Sequence, residues 1–174
     1  MSYGSKYEGN VTANGRPLLR DDFGKFAAFV QQDDILLSSM TPREAFTFAQ
    51  SIRTDLDSDI VEIRTDSLLQ SLGLVECADI QIGKNVRKGE KKRVSIGYEL
   101  VTNPSLLLLD EPTSGLDSIS ALTIAKLLKK ESRRGLSVLA TIHTPSAETF
   151  LQFDRCILLS DGYTIYNGSP LHIR

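Results

Sequence analysis

The hydrophobic positions of this chain follow two alternating patterns. Short apolar runs bounded by polar residues occur at "FAAFV", "LLLL" and "SVLATI", residues 26–30, 106–109 and 137–142. Unbroken apolar runs of this length are typical of strands that are buried on both faces of a parallel sheet. Between them lie longer stretches with apolar residues at helical spacing. Strands that alternate with helices predict an α/β domain with a mostly parallel central sheet.

Local signals predict where the helices begin and end. The stretch "TPRE", residues 41–44, combines a capping threonine, a proline at the first helical position and a glutamate two residues later, which predicts a helix through about Ile52. The other predicted helices are about Ile60–Leu72 with Asp59 as cap, about Gly89–Val101, Ser118 (as cap) to Gly135, and a short helix from Thr144. Together with the first, the helices before residue 102 predict a helical subdomain.

Two dipeptides predict a hairpin near each end of the chain. Asn14-Gly15 lies inside "GNVTANGRPLL", and Asp161-Gly162 separates "RCILLS" from "YTIY". Both dipeptides favour the two-residue turns in which the backbone takes positive φ angles. We therefore expect terminal hairpins on either side of the parallel sheet.

Composition narrows the class of protein. The 174 residues fit one domain, and 41% hydrophobic with 24% charged residues is ordinary for a soluble globular chain. A net charge of -2 argues against a general nucleic-acid binder, and no apolar run approaches the roughly 18 residues that cross a bilayer. Cys77 and Cys156 lie in no metal-binding motif, so we expect two free thiols in a reducing cytosol.

The chemistry is concentrated at the ends of the predicted strands. Asp110 and Glu111 follow "LLLL", Gln31 and Gln32 follow "FAAFV", and His143 follows "SVLATI". Adjacent carboxylates repel each other, but they become favourable beside a divalent cation and phosphates. If the strands are neighbours, these side chains meet in one pocket, because ligands bind beyond the carboxyl ends of parallel strands. Taken singly, the acid pair equally fits a helix cap or solvated turn, and the histidine a structural role.

Four longer segments carry a family resemblance. "FVQQDDILLSSMTPREAFTFA", "KKRVSIGYELVTNPSLLLLDEPTSGLDS", "TIHTPS" and "GYTIYNGSP" together resemble the nucleotide-binding domain of an ATP-binding-cassette (ABC) transporter, most closely of the G subfamily (White and pleiotropic-drug-resistance type). The resemblance covers about residues 8–170. It implies an ABC-type P-loop NTPase fold that binds and hydrolyses ATP with Mg²⁺ to drive transmembrane export of lipid-like or xenobiotic substrates.

The resemblance also implies roles for the residues at the strand ends. Asp110, in the Walker B motif, would hold Mg²⁺ through water, and Glu111 would be the general base for the hydrolytic water. Gln32 would sense the magnesium ion and the attacking water, and His143 would contact the γ-phosphate. Such roles suit phosphoryl transfer, which depends on positioning and charge neutralisation.

Partners follow from the same resemblance. The D-loop, formed by Ser114, Gly115, Leu116 and Asp117, would touch the site of a second nucleotide-binding domain in a homo- or heterodimer. The full-length protein would place this domain on the cytoplasmic face of a membrane, against its own transmembrane domain, whereas these 174 residues would be soluble. The helical and signature region would comprise about residues 40–102. The region with the Walker B motif, the D-loop and the switch histidine would comprise about residues 103–174.

The phosphate-binding Walker A loop, GxxxxGK[ST], is absent from the sequence. The only Gly-Lys pairs, at 24–25 and 83–84, have Leu19 and Ala78 where the first glycine belongs. The family places this loop ahead of the matched region, so we expect an N-terminal truncation. We also expect negligible ATP hydrolysis by this chain alone. The resemblance implies a Walker A strand beside the Walker B strand, so in its absence we expect an exposed apolar edge along Leu106–Leu109.

The signature loop departs from the family pattern as well. Where the family has Ser-Gly-Gly-Glu, this chain reads Val86-Arg87-Lys88 before Gly89 and Glu90, its signature remnant. Either Arg87 and Lys88 replace the serine and first glycine, or a short deletion has removed the centre of the loop. A deletion is favoured because the flanks resemble the segments on both sides of the signature.

Three functions compete at this point. The first is a domain of a G-subfamily exporter, and the second is a degenerate or soluble, non-transporting ABC ATPase that acts as a regulatory or binding module. Nucleic-acid binding through a basic run is weaker, because no aromatic residue is interleaved with its cations and a solvated helix start accounts for them. That run comprises Lys84, Arg87, Lys88, Lys91, Lys92 and Arg93.

Overall fold

A central parallel sheet with helices on one side organises the molecule. The computed structural model describes residues 8–17 and 23–173. Its elements are β1 (Thr12–Ala13), β2 (Arg16–Pro17), α1 (Phe23–Phe26), β3 (Ala27–Val30), α2 (Pro42–Arg53), α3 (Ser58–Ser71), a 3-10 turn (Val75–Cys77), α4 (Lys88–Leu100), β4 (Leu106–Leu109), α5 (Ser118–Ser132), β5 (Ser137–Ala140), α6 (Ala147–Phe150), β6 (Cys156–Ser160), β7 (Tyr163–Gly168) and a 3-10 turn (Pro170–His172). The predicted α/β class is confirmed.

The strand order differs from the expectation at one point. Strands β3, β4 and β5 pair in parallel in that order, with Val30, Leu109 and Ala140 in register. The predicted exposed edge along Leu106–Leu109 is therefore wrong, because β4 is hydrogen-bonded on both sides. In the described part of the chain, β3 and β5 form the outer edges. The physical reason is that β3 and β5, both present in this chain, occupy the two edges of β4.

The two faces of this sheet are covered very differently. Alternate residues point to opposite faces, and the face that contains Val30, Leu107 and Leu109 is buried in one hydrophobic core with residues of α2, α4 and α5. On the other face, Phe29 and Leu139 are 48% and 60% exposed within the described structure. The strands therefore place their ends from one well-packed side only.

The helix caps are of the predicted residue types, but three of them lie one or two residues from the predicted positions. At α2, Thr41 Oγ1 accepts from Glu44 N at 3.2 Å and Glu44 Oε2 accepts from Thr41 N at 2.9 Å, so the predicted capping box is confirmed. The other caps are Asp57 rather than Asp59 for α3, Asp117 rather than Ser118 for α5, and Ser146 rather than Thr144 for α6. None of the described helices is both long and apolar enough to span a bilayer.

Both predicted hairpins are present. β1 pairs with β2 and β6 pairs with β7, each in antiparallel fashion. Asn14 and Gly15 have φ angles of 51° and 75°, and Asp161 and Gly162 have φ angles of 50° and 81°. These positive angles are the ones that the two-residue turn requires. Leu18 and Leu19, at the end of the first predicted hairpin, lie outside the described residues.

Both cysteines are free thiols, as expected. Cys77 is buried in the 3-10 turn after α3, while Cys156 is half-buried at the start of β6. Burial raises the pKa of the Cys77 thiol above its ordinary value, since removal from water disfavours the thiolate. Cys77 therefore packs as a small apolar side chain in the core.

Candidate functional site: the carboxyl ends of the parallel strands

The backbone ladder extends one residue beyond each strand at the carboxyl edge of the sheet. Asp110 N donates to Val30 O at 2.9 Å, and Thr141 N donates to Leu109 O at 3.0 Å. These bonds fix Asp110 between the residues that follow β3 and β5. The apolar packing of the strands thus delivers polar residues to a common edge, as the sequence predicted.

Each carboxylate is held by a neighbour from a different strand. Thr141 Oγ1 donates to Asp110 Oδ1 at 2.8 Å, on the β5 side. Gln32 Nε2 donates to Glu111 Oε2 at 3.0 Å, on the β3 side. Hydrogen bonds from opposite directions compensate for bringing two acids together, since a charged acceptor with a donor is far less costly than an unpaired one. We call Gln32, Asp110, Glu111 and Thr141 the strand-end group.

The backbone at Glu111 is turned sharply. Its φ angle is 44°, in the left-handed region that side chains other than glycine seldom adopt. Glu111 N donates to Thr141 Oγ1 at 2.9 Å, and Glu111 O accepts from Ser114 N at 3.0 Å, so the turn is supported on both sides. Strained backbone held by surrounding bonds is common at functional sites. The Glu111 side chain that leaves this turn meets Gln32, which follows β3.

His143 lies two residues beyond Thr141 and is exposed. Its Nδ1 is 3.3 Å from Thr144 Oγ1, and Thr144 has a φ angle of 44°. The described contacts of His143 are with its own loop and not with Gln32, Asp110 or Glu111. The structure therefore gathers three of the four predicted side chains into one hydrogen-bonded group, with the histidine on the adjoining loop.

A separate cavity of about 390 Å³ lies at the opposite, amino end of the strands. Ser105 and Leu136, which line it, immediately precede β4 and β5, and none of the predicted site residues takes part. The cavity is therefore distinct from the strand-end group. Because ligands of parallel sheets bind beyond the carboxyl ends, the strand-end group is the better candidate site.

The donor set of the strand-end group suits Mg²⁺. It offers carboxylate, amide and hydroxyl oxygens, the hard ligands that Mg²⁺ prefers. Over residues 8–17 and 23–173, no group of three or more histidine, cysteine, aspartate or glutamate side chains is placed to hold a metal ion without other ligands. This chain could therefore supply one or two ligands to Mg²⁺, with water and phosphates as the others, which is the usual pattern for this ion.

The predicted D-loop, Ser114–Asp117, connects the strand-end group to α5. Asp117 caps this helix by accepting from Ile119 N, Ser120 N and Ser120 Oγ at 3.1, 2.9 and 2.7 Å. The bonds from the side chain and backbone of Ser120 hold the pKa of Asp117 below its ordinary value.

The other residues of the D-loop pack closely against their surroundings. Gly115 has a φ of 65°, and a Cβ there would lie 2.3 Å from Lys88 Nζ. Leu116 is half-buried against the core.

The signature remnant lies at the start of α4, beside the D-loop of the same chain. Glu90 Oε2 accepts from Arg87 N at 2.8 Å, which closes a local capping interaction. A Cβ on Gly89 would lie 3.1 Å from Ser120 Cβ and Oγ. Gly89 and Glu90 thus serve the start of a helix here, and their predicted contact with a partner's nucleotide stays a prediction.

The supporting roles of three residues were not predicted from the sequence. Thr141 bonds to both Asp110 and Glu111, although a lone threonine gives no local signal of that kind. The prediction that the basic run is a solvated helix start is wrong for Lys92 and holds only in part for Arg93, which is half-buried. Lys92 is only 3% exposed, and Arg93 Nη1 donates to Leu72 O and Gly73 O, both at 2.8 Å. Helical spacing was the available clue, because Lys92 lies four residues before the buried Ile96 and therefore on the same face of α4.

Known proteins are similar to this chain in sequence and in fold. The chain matches the family model described as ABC transporter over residues 2–114. It is 42% identical over 171 residues to ABC transporter G family member 13 of Arabidopsis thaliana, covering 92% of this chain and 25% of that protein. It is 43% identical over 166 residues to G family member 22 of the same plant, covering 92% and 22%. The chain thus spans about a quarter of the length of these curated relatives.

A solved structure agrees with the sequence relatives. The structure of cbiO1 from Clostridium perfringens, part of the ABC transporter complex cbiONQ, superposes with a TM-score of 0.83 at 27% identity. The superposition covers 94% of this chain and 66% of that one. With the parallel sheet and the strand-end group described above, these matches lead to one conclusion. The chain belongs to the ABC transporter family, and its sequence is that of a nucleotide-binding domain of the G-subfamily type.

Proposed function

We propose that this chain supplies the magnesium- and water-handling half of an ATP-hydrolysing site in a G-subfamily export transporter. The observation that carries the proposal is the strand-end group, in which Asp110 and Glu111 are each held by a donor from a neighbouring strand. An acid pair with this degree of support, on a chain of this family, is arranged to face a cation and phosphates.

Each side chain then has a defined task. Asp110, oriented by Thr141, would bind hydrated Mg²⁺ through its second carboxylate oxygen. Glu111, oriented by Gln32, would accept a proton from the attacking water, an effect that typically contributes about 10²–10⁴ in rate. The Gln32 amide nitrogen donates to Glu111, so the amide oxygen would be the atom of Gln32 that is able to bind the cation. His143 would reach the γ-phosphate from its loop. The bound Mg²⁺ would neutralise charge on the phosphates.

The 174 residues alone should hydrolyse ATP negligibly. They contain no GxxxxGK[ST] loop, whose backbone amides and helix N-terminus would hold the phosphates. The signature stretch also lacks the paired small residues that allow a backbone to approach a nucleotide. Without these contacts, the acids have little to bind.

Turnover by the purified chain tests this proposal. We expect phosphate release indistinguishable from a buffer blank at millimolar ATP and Mg²⁺. Magnesium-dependent turnover that disappears in Glu111→Gln would refute the claim that this chain is inactive alone. The same substitution controls for contaminating ATPases, because a contaminant would persist in both preparations.

We also propose an assembly for the whole protein, in keeping with its G-family relatives. Residues of about 40–102 would form the helical and signature region and residues of about 103–174 the Walker B, D-loop and switch-histidine region of one nucleotide-binding domain. This domain would pair with a second such domain and with the transmembrane domain of the same transporter, on the cytoplasmic face of a membrane. Lipid-like or xenobiotic compounds would be the exported substrates.

A regulatory or binding module is the second candidate, and the absent glycine-lysine loop is the observation that favours it. The two candidates differ in what the parent gene encodes beyond residue 174. About six hydrophobic spans downstream would support the exporter. A gene without them, whose product retains ATP-independent binding to another ABC domain, would support the module.

A further inference from the structure

A buried cation lies behind the strand-end group. Lys92, on α4, is 3% exposed, and its charge is therefore removed almost completely from water. A buried charge is tolerated only where partners compensate for the lost hydration. The described structure provides them in one place: the segment that leaves β3 and carries Gln31 and Gln32.

The ammonium group uses its full hydrogen-bonding capacity on this segment. Lys92 Nζ lies 2.7 Å from Asp34 Oδ1, 2.8 Å from Gln32 O and 3.4 Å from Gln31 O. A lysine ammonium has three N–H donors, and here each has an acceptor. Ser95, one turn further along α4, donates from its Oγ to Asp34 Oδ1 at 2.8 Å. Two residues of one helix thus hold the backbone and one side chain of the same segment.

This arrangement bears directly on the strand-end group. Gln32 lies beyond the end of β3, where the sheet no longer fixes its backbone. Its carbonyl is held by Lys92, and its side-chain amide donates to Glu111 Oε2 at 3.0 Å. A shift of this backbone by about 1 Å would break the amide contact, because hydrogen bonds weaken steeply with distance.

We propose that Lys92 is a positioning residue for the nucleotide site: its ammonium fixes the backbone at Gln31 and Gln32 and so holds the Gln32 amide against Glu111. The importance of this contact for hydrolysis rests on the function proposed above. The positioning itself does not, because it is a property of the folded chain without nucleotide.

Nuclear magnetic resonance of the side-chain amide of Gln32 in the ¹⁵N-labelled 174-residue chain tests this assignment. The signal is identified by its loss in Gln32→Met, and Glu111→Ala calibrates its position without the carboxylate partner. In Lys92→Met, we expect the amide signal to move to the Glu111→Ala position and its solvent exchange to accelerate about three- to tenfold. In Lys92→Arg, which keeps the charge and donors, most of the original shift should return.

Two controls separate positioning from general loss of stability. Val94→Ala weakens the core contact of the same helix, since Val94 is fully buried, and Lys126→Met removes an exposed helical charge elsewhere. Neither should move the Gln32 amide. A folded Lys92→Met chain with the amide at its original position would overturn the proposal, and so would an equal displacement in Val94→Ala.

A milder substitution tests the proposal if Lys92→Met fails to fold. Ser95→Ala removes only one of the two bonds to Asp34 and should displace the same signal in the same direction by a smaller amount. An unmoved signal in Ser95→Ala would then overturn the assignment. Because no nucleotide enters these measurements, their outcome is distinct from that of the turnover assay.

Discussion

Two polar regions of this molecule that resemble parts of an ATPase are held together in opposite ways. In the strand-end group, Gln32 reaches Glu111 across 79 residues of sequence, and Thr141 reaches Asp110 across 31. At the start of α4, Arg87 N bonds to Glu90, only three residues away. The first arrangement exists only when three strands pair in the right order, whereas the second can form at the start of any helix.

The difference favours the strand-end group over the helix start as the candidate site. Long-range bonds cost conformational entropy that only the folded core can offset, and the strand-end group has both that core and a turned backbone at Glu111. The signature stretch has a locally satisfied helix start. The comparison therefore predicts that damage to the sheet disrupts the strand-end group, while loss of the capping bond at Glu90 stays local.

The largest effect should come from the core beneath the strand-end group. Leu107→Ala empties a fully buried position on β4 and should lower the free energy of unfolding by about 2–5 kcal/mol. Leu139→Ala, on the uncovered face of β5, is the matched control and should cost less than about 1 kcal/mol. Urea denaturation measures both values. Equal losses would mean that the two faces of the sheet are equally packed.

A smaller effect should follow from the hydroxyl that joins the two acids. Thr141→Val keeps the shape but removes bonds to Asp110 Oδ1 and Glu111 N, so we expect a loss of about 1–2 kcal/mol in unfolding free energy. Thr164→Val, on exposed β7, should change it by less than about 0.5 kcal/mol. If the two variants are equally stable, Thr141 does not support the acid pair.

The helix start should be more tolerant. Glu90→Ala removes the local capping bond and should cost about 0.3–1 kcal/mol. The sharper expectation is spatial: the side-chain amide signal of Gln32 should stay in place in Glu90→Ala and move in Thr141→Val. A displaced Gln32 signal in Glu90→Ala would show that the capping bond, and not only Lys92 further along α4, supports the strand-end group.

The smallest effect concerns pH and Asp117, which caps α5 between the two regions. Its pKa in the folded chain lies below the ordinary value, so between these two pKa values the folded state binds fewer protons than the unfolded state. Its stabilising contribution is complete above the unfolded pKa of about 3.9 and is lost as pH falls through the lower, folded pKa. Thermal melts below pH 5 should therefore lose stability less steeply in Asp117→Asn. Identical slopes would contradict this role.

Much of the fold could be predicted because local chemistry decided it. Asn14-Gly15 and Asp161-Gly162 turn where their backbone preferences allow, and Thr41 caps α2 as its spacing indicates. Caps were misplaced where two candidates adjoin, as with Asp117 and Ser118. The choice between them depends on which peptide unit first becomes helical, and side-chain chemistry alone does not determine it.

The order of the strands and the supports of the site could not be read in the same way. β4 lies between β3 and β5 because of pairing across the sheet, which no local pattern encodes. Lys92 looked like one member of a solvated basic run, and its burial against Asp34 depends on contacts distant in sequence. The site residues that follow strands were predictable, whereas the residues that hold them were not.

Restoring the missing loop tests the central claim most directly. We would join a Walker A segment from a G-subfamily relative ahead of residue 8 and measure binding of a fluorescent ATP analogue with and without Mg²⁺. The joined chain should bind more tightly with Mg²⁺, and Asp110→Asn should weaken that magnesium-dependent binding about tenfold or more, while the 174 residues alone should show no saturable binding. Unchanged magnesium-dependent binding in the joined Asp110→Asn chain would contradict the account.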